Sequence, residues 1–184
     1  MRRIPIIATL VVLAAVATMI ALGFWQLRRM HEKEALLAQY AAAQSNPAPV
    51  HWTAVGVGPE LLYRRAWLTC HSVTNRSSIA GRNASGEPGL AQTARCALPG
   101  GVSALVVLGW SRQVNRGEWR GGHVTGVIAP GPRLVAIPPV GGLEANALPD
   151  PSELPNNHLS YAMQWFFFAA TAFVIFVVAL RRRR

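Results

Sequence analysis

The chain has 184 residues, a formal net charge of +10 and two cysteines. Six of its basic residues, Arg2, Arg3 and the four arginines 181–184, sit at the two ends; residues 28–153 hold the other twelve and all eight acids. Basic clusters that abut apolar runs act as orientation and headgroup signals, so the charge gives no ground for a nucleic-acid partner.

Residues 4–27 carry no charged side chain. About 20 apolar residues suffice for a helix to cross a hydrocarbon core about 30 Å thick, so residues 4–27 are expected to form a first transmembrane helix. A cleaved signal peptide is the alternative, with Ala21-Leu22-Gly23 supplying small residues. The run is longer than the usual signal core of about 7–15 residues, and Trp25-Gln26 leads into Arg28 and Arg29 as an interfacial anchor does. An uncleaved helix is therefore expected.

Residues 28–46 are rich in helix formers and should extend that helix beyond the bilayer surface. Ser45-Asn46-Pro47-Ala48-Pro49 ends it, because proline disfavours helix in the residue before it and donates no backbone hydrogen bond. Residues 47–157 then read as a single β-rich domain. Residues 65–73, 90–98 and 102–110 are strand candidates, with 124–128 and 134–137 as shorter ones. Pro99-Gly100-Gly101 should turn the second candidate into the third. Residues 75–88 are polar and read as a loop, and residues 138–155, with five prolines, as an extended connector. No repeat and no heptad pattern is visible.

Residues 158–180 should form a second transmembrane helix, followed by a basic tail, residues 181–184. Basic flanks stay on the cytoplasmic side. The expectation is an α+β membrane protein of a bacterial inner membrane, its two transmembrane helices bracketing a β-rich periplasmic domain and both termini cytoplasmic. An oxidising compartment favours a Cys70–Cys96 disulfide. Two thiols with no His-x-x-x-His or second cysteine pair nearby make a poor zinc site; copper binding is the alternative.

Catalytic patterns are missing. Ser111 has no nucleophile elbow around it, no glycine-rich phosphate loop with lysine occurs, and the scattered acids form no spaced pair. No enzyme activity and no catalytic residue is expected. His31, His51 and His123 read as solvated or loop positions, His71 as a strand-end residue, and Trp67, Trp110 and Trp119 as core or surface aromatics. Asn75-Arg76-Ser77 and Asn83-Ala84-Ser85 match a glycosylation sequon, a frequent chance pattern.

Two junction motifs carry a resemblance. Leu22-Gly23-Phe24-Trp25-Gln26-Leu27-Arg28-Arg29 closes the first run, and Asn156-Asn157-His158-Leu159-Ser160-Tyr161-Ala162-Met163-Gln164-Trp165-Phe166 opens the second. Together with Tyr63-Arg64-Arg65 and Val107-Leu108-Gly109-Trp110, they make the chain resemble the surfeit locus protein 1 family, assembly factors for cytochrome c oxidase. The family usually has Asn-Arg-Gly-Trp where this chain has Val107-Leu108-Gly109-Trp110. The resemblance implies a non-enzymatic chaperone that helps place haem a in oxidase subunit I, with haem a synthase as a candidate second partner and the lipid bilayer as its setting. A cofactor-free scaffold or accessory subunit of the oxidase is the alternative.

Residues 158, 161, 162 and 165 recur at i, i+3, i+4 and i+7, so His158, Tyr161, Ala162 and Trp165 should share one helix face. A neutral imidazole can ligate haem iron through one nitrogen while the other donates a hydrogen bond, which makes His158 the candidate metal ligand. Tyr161, Trp165, Trp25 and Gln26 would line the cleft, and Arg28 and Arg29 would meet the propionates. The other reading of the same residues is an ordinary interfacial anchor: a histidine bonded to backbone or headgroups, inside an aromatic belt.

Overall fold

A computed structural model describes residues 6–52, 57–115 and 118–182. The terminal arginines 2, 3, 183 and 184, and the first two residues of the first apolar run, lie outside the described residues. The chain forms two compact units, Met1–Leu37 with Leu154–Arg184, and Ala38–Glu153.

The first unit is built from two helices, α1 (Ile6–Ser45) and α2 (His158–Arg182). α1 runs unbroken for 40 residues. At its end Ser45 Oγ donates to the Ala42 carbonyl, and the chain then reaches Asn46 and Pro47. α2 ends on Arg181 and Arg182, whose positive charge complements the carbonyl end of the helix. Each helix is long and apolar enough to cross a bilayer, and only 6% of the most apolar stretch of either is buried.

In α1 the less exposed positions include Thr9, Val12, Val16, Met19, Gly23, Gln26, Met30 and Lys33, alternately three and four residues apart. In α2 they include His158, Ala162, Trp165, Ala169, Ala172 and Phe176. This burial spacing is heptad-like, although no heptad pattern is visible in the sequence. It is invisible as hydrophobic periodicity because the opposite faces are equally apolar: Ile7 is 80% exposed and Phe167 68%.

The second unit is one seven-stranded sheet, β1 (Val50–His51), β2 (Arg65–Cys70), β3 (Ser72–Arg82), β4 (Pro88–Ala97), β5 (Ser103–Ser111), β6 (Gly122–Ala129) and β7 (Arg133–Ala136), in the order β1-β2-β6-β7-β5-β4-β3. β1 is parallel to β2 and β5 to β7; the other pairs are antiparallel. The expected β4–β5 hairpin forms, closed by Leu98 N–H to the Val102 carbonyl at 2.8 Å, with Gly100 at φ +80°.

Two expectations fail here. Residues 65–73 are not one strand: the chain leaves β2 at Cys70, bends at His71 and starts β3 at Ser72. Residues 75–88 are not a loop either. β3 continues to Arg82, and Asn83–Glu87 make the turn, with Asn83 Oδ1 accepting from the amides of Ser85 and Glu87. β3 is an edge strand with one neighbour and few buried side chains, so it carries no apolar alternation to read.

Sheet curvature follows from connectivity. A single residue joins β2, second in the sheet, to β3, seventh in it. Four strand spacings of about 4.8 Å would hold β2 and β4 roughly 19 Å apart in a flat sheet. Cys70 and Cys96, one on each, are disulfide-bonded with their Cα atoms 5.4 Å apart. The sheet therefore coils on itself around a main core that includes Leu68, Ala94, Cys96, Val106, Leu108, Ile128 and Leu134, with a smaller buried cluster of Ala91, Val107, Ala129 and Val135. Between Gln92 and Thr93 the β4–β5 register slips by one residue, leaving Leu108 as the bulge. The next residue must be glycine, since a Cβ on Gly109 would stand 2.4 Å from Leu143 Cβ. The last turns of α1 join this unit: Tyr40 is buried against Tyr63, ring centroids 4.8 Å apart, and Gln44 donates to the Pro149 carbonyl.

Candidate functional site

The junction residues meet where α2 begins. His158 is its first residue, and its ring lies partly buried with Nδ1 2.8 Å from Oε1 of Gln26 on α1. An amide oxygen only accepts. In this pairing the imidazole Nδ1–H is the donor and the Gln26 amide oxygen the acceptor. The separation in sequence is 132 residues.

Further along α2 the less exposed face carries small residues, Ala162 about one turn on and Ala169 about three. Ala162 is fully buried and Ala169 nearly so. Gly23 is buried, and a Cβ there would lie 2.5 Å from the Phe166 ring. Phe24 meets the same ring edge-on, centroids 5.3 Å apart. The Phe166 ring thus fills the space that a side chain at position 23 would take, and any larger residue there must displace that ring.

Beside this contact lies an apolar groove of about 530 Å³ lined by Val16, Ile20, Phe24, Phe166, Ala169, Ala170 and Phe173. None of these except Phe24 and Phe166 belongs to the junction motifs. Sequence reasoning missed the groove because its signal, small residues opposite aromatics on two distant segments, appears only once the helices are in register.

Not every expected residue joins the cluster. Tyr161 is 49% exposed and Trp25 45% exposed. Trp165 is partly buried, with an edge-on contact to Phe168. Arg28 is exposed, and Arg29 pairs with Glu32 on its own helix at 2.6 Å. On α1, positions 25, 28 and 29 share a face adjacent to that of Gln26.

The other histidines stand elsewhere. His31 pairs with Glu34. His71 is exposed at the β2–β3 bend. His51 and His123 flank Trp67, His51 stacked at 3.8 Å and His123 tilted at 5.5 Å. The disulfide takes both sulfurs, which removes thiolate ligands for the copper alternative. Among the described residues no cluster of three or more His, Cys, Asp or Glu is placed to hold a metal. Within the sheet unit burial raises the Tyr63 hydroxyl above the usual tyrosine range, with Tyr40, Asp150 and Glu153 adding to the effect.

No curated protein matches the chain significantly. The model of the SURF1 family matches residues 13–143, from within α1 through the whole sheet to just past β7, stopping before His158. That match covers well over half of the sequence. The chain belongs to the SURF1 family, assembly factors associated with cytochrome oxidase rather than known enzymes.

Proposed function

We propose that this chain is a bilayer-spanning assembly chaperone that holds haem a at the outer membrane surface and helps its transfer into subunit I of the oxidase. The observation that carries this reading is the Gln26–His158 pair at the start of α2. An iron-ligating histidine needs a free nitrogen lone pair and a partner for its other N–H; His158 has that donor set.

Both helices cross the membrane in this reading. Their outward faces are apolar and exposed over several turns, from Ile6 and Leu10 to Phe167, Val174 and Ile175. Such faces suit lipid tails and do not suit water. Arginines 181 and 182 end α2 on the cytoplasmic side by the positive-inside tendency, so the disulfide-bonded sheet lies in the periplasm of an inner membrane.

Haem a, when bound, supplies the iron and the apolar tail that the oxidase requires. His158 Nε2 would ligate the iron. Trp25, Tyr161 and Trp165 would border the ring at interfacial depth, and Arg28, with Arg29 once freed from Glu32, would neutralise the propionates. The groove beside Ala169 and Ala170 starts two helical turns along α2 from His158, about 12 Å at 1.5 Å per residue, and would take the isoprenoid tail. Neither span interior offers a second histidine, which suits a ligand that is handed on better than a resident electron carrier. Haem a synthase is the natural donor in this scheme.

The test is purification from cells that make haem a. Wild-type protein should carry substoichiometric haem a and His158→Ala should lose it. Equal occupancy and an equal spectrum in the variant remove His158 as ligand. A wild-type protein free of haem, yet required for the oxidase, would instead mark a cofactor-free scaffold.

A further inference from the structure

We infer that Gln26 is the positioning residue for His158: its amide oxygen holds the imidazole in the Nδ1–H tautomer and leaves Nε2 as the ligating nitrogen. The inference rests on the haem-binding reading for its purpose, but not for its geometry.

The partners come from two helices, 132 residues apart in sequence, and meet at 2.8 Å. Three residues before Gln26 on α1, Gly23 lies against the Phe166 ring, and four residues after His158 on α2, Ala162 is fully buried. Contacts of the two helices thus continue within about one turn of the pair on each of them.

A neutral imidazole free in water prefers its proton on Nε2, the tautomer that cannot ligate through that atom. An acceptor opposite Nδ1 reverses this preference. Gln26 supplies that acceptor without charge, so Nδ1–H donates to a neutral oxygen and the ring stays a moderate donor to iron. Metal-binding histidines depend on such a partner, and its loss typically costs about 10–100-fold in metal affinity.

The experiment uses the full chain in detergent, labelled with ¹⁵N-histidine and free of haem, with His158→Ala identifying the His158 signals. Wild type should show Nδ1 protonated and Nε2 bare. Gln26→Leu should move the proton to Nε2, and Gln26→Glu, which keeps an acceptor at the same reach, should restore the wild-type form. A wild-type ring already protonated on Nε2, or a tautomer that Gln26→Leu leaves unchanged, overturns the inference. Haemin titration is the second arm. Gln26→Leu should weaken binding about 10–100-fold and lower the ferrous iron–histidine stretching frequency, and Gln26→Glu should raise that frequency above wild type. If His158→Ala loses haemin and Gln26→Leu binds as wild type does, the inference fails and the haem reading stands. If His158→Ala binds haemin unchanged, the haem reading fails and the tautomer result alone decides the role of Gln26.

Discussion

Loss of the Cys70–Cys96 bridge should destabilise the sheet unit by about 3.5 kcal/mol, the chain-entropy value for closing a loop of this length. The two sulfurs are 26 residues apart in sequence. They also tie strands that are second and sixth in the sheet, so the bond holds the coil of the sheet as well as a hairpin. Both cysteines are buried, Cys70 3% and Cys96 0% exposed. Small domains are stable by only about 5–15 kcal/mol, so the bridge supplies a large share. The assay is urea unfolding of the full chain in detergent, followed by tryptophan fluorescence, for wild type, reduced wild type and the Cys70→Ala/Cys96→Ala double variant. With a urea slope of about 1–3 kcal/mol per molar, the midpoint should fall by roughly 1–3 M in both cases. An unchanged midpoint, once mass spectrometry has shown that the bond is gone, would refute the reasoning.

Gly23→Leu should lower the melting midpoint of the purified chain, because overpacking at a close contact costs about 1–3 kcal/mol. Ala21→Leu, at an exposed position of the same helix, should not; equal behaviour of the two variants would remove the Gly23–Phe166 contact as a packing determinant. Tyr63 gives a pH signature. Its folded-state value is raised, so its contribution is fully present below the unfolded value near 10 and is lost as pH climbs through the raised folded value. Tyr63→Phe should therefore flatten the decline in urea midpoint above about pH 10, and an unaltered slope would show that the hydroxyl does not titrate differently on folding.

The sequence made the helices and the central strands legible for a simple reason. Uncharged runs, proline stops and the Pro99-Gly100-Gly101 turn are local signals, and each acts through its own neighbours. β3 was not legible because an edge strand with exposed faces has no apolar alternation. The break at His71 was hidden because it depends on β2 and β3 choosing different partners, β6 and β4. At the candidate site, Gln26 and His158 could each be named from their motifs, but not their bond. Pairing requires the register of two helices, and the buried residues nearest it, Gly23, Ala162 and Ala169, carry little side chain for a sequence pattern to show. Tyr161 shows the reverse case. The i, i+3 spacing put it on the face of His158, and it stands half exposed because the contact seam follows Ala162 and Trp165 instead.

Haem a content of oxidase subunit I is the quantity most directly at stake. Deleting the chain should lower it, together with oxidase activity. Restoring the wild-type chain should recover both, and restoring His158→Ala at equal membrane abundance should not. Full haem a occupancy of subunit I in the deletion strain, or full recovery by His158→Ala, would contradict the account.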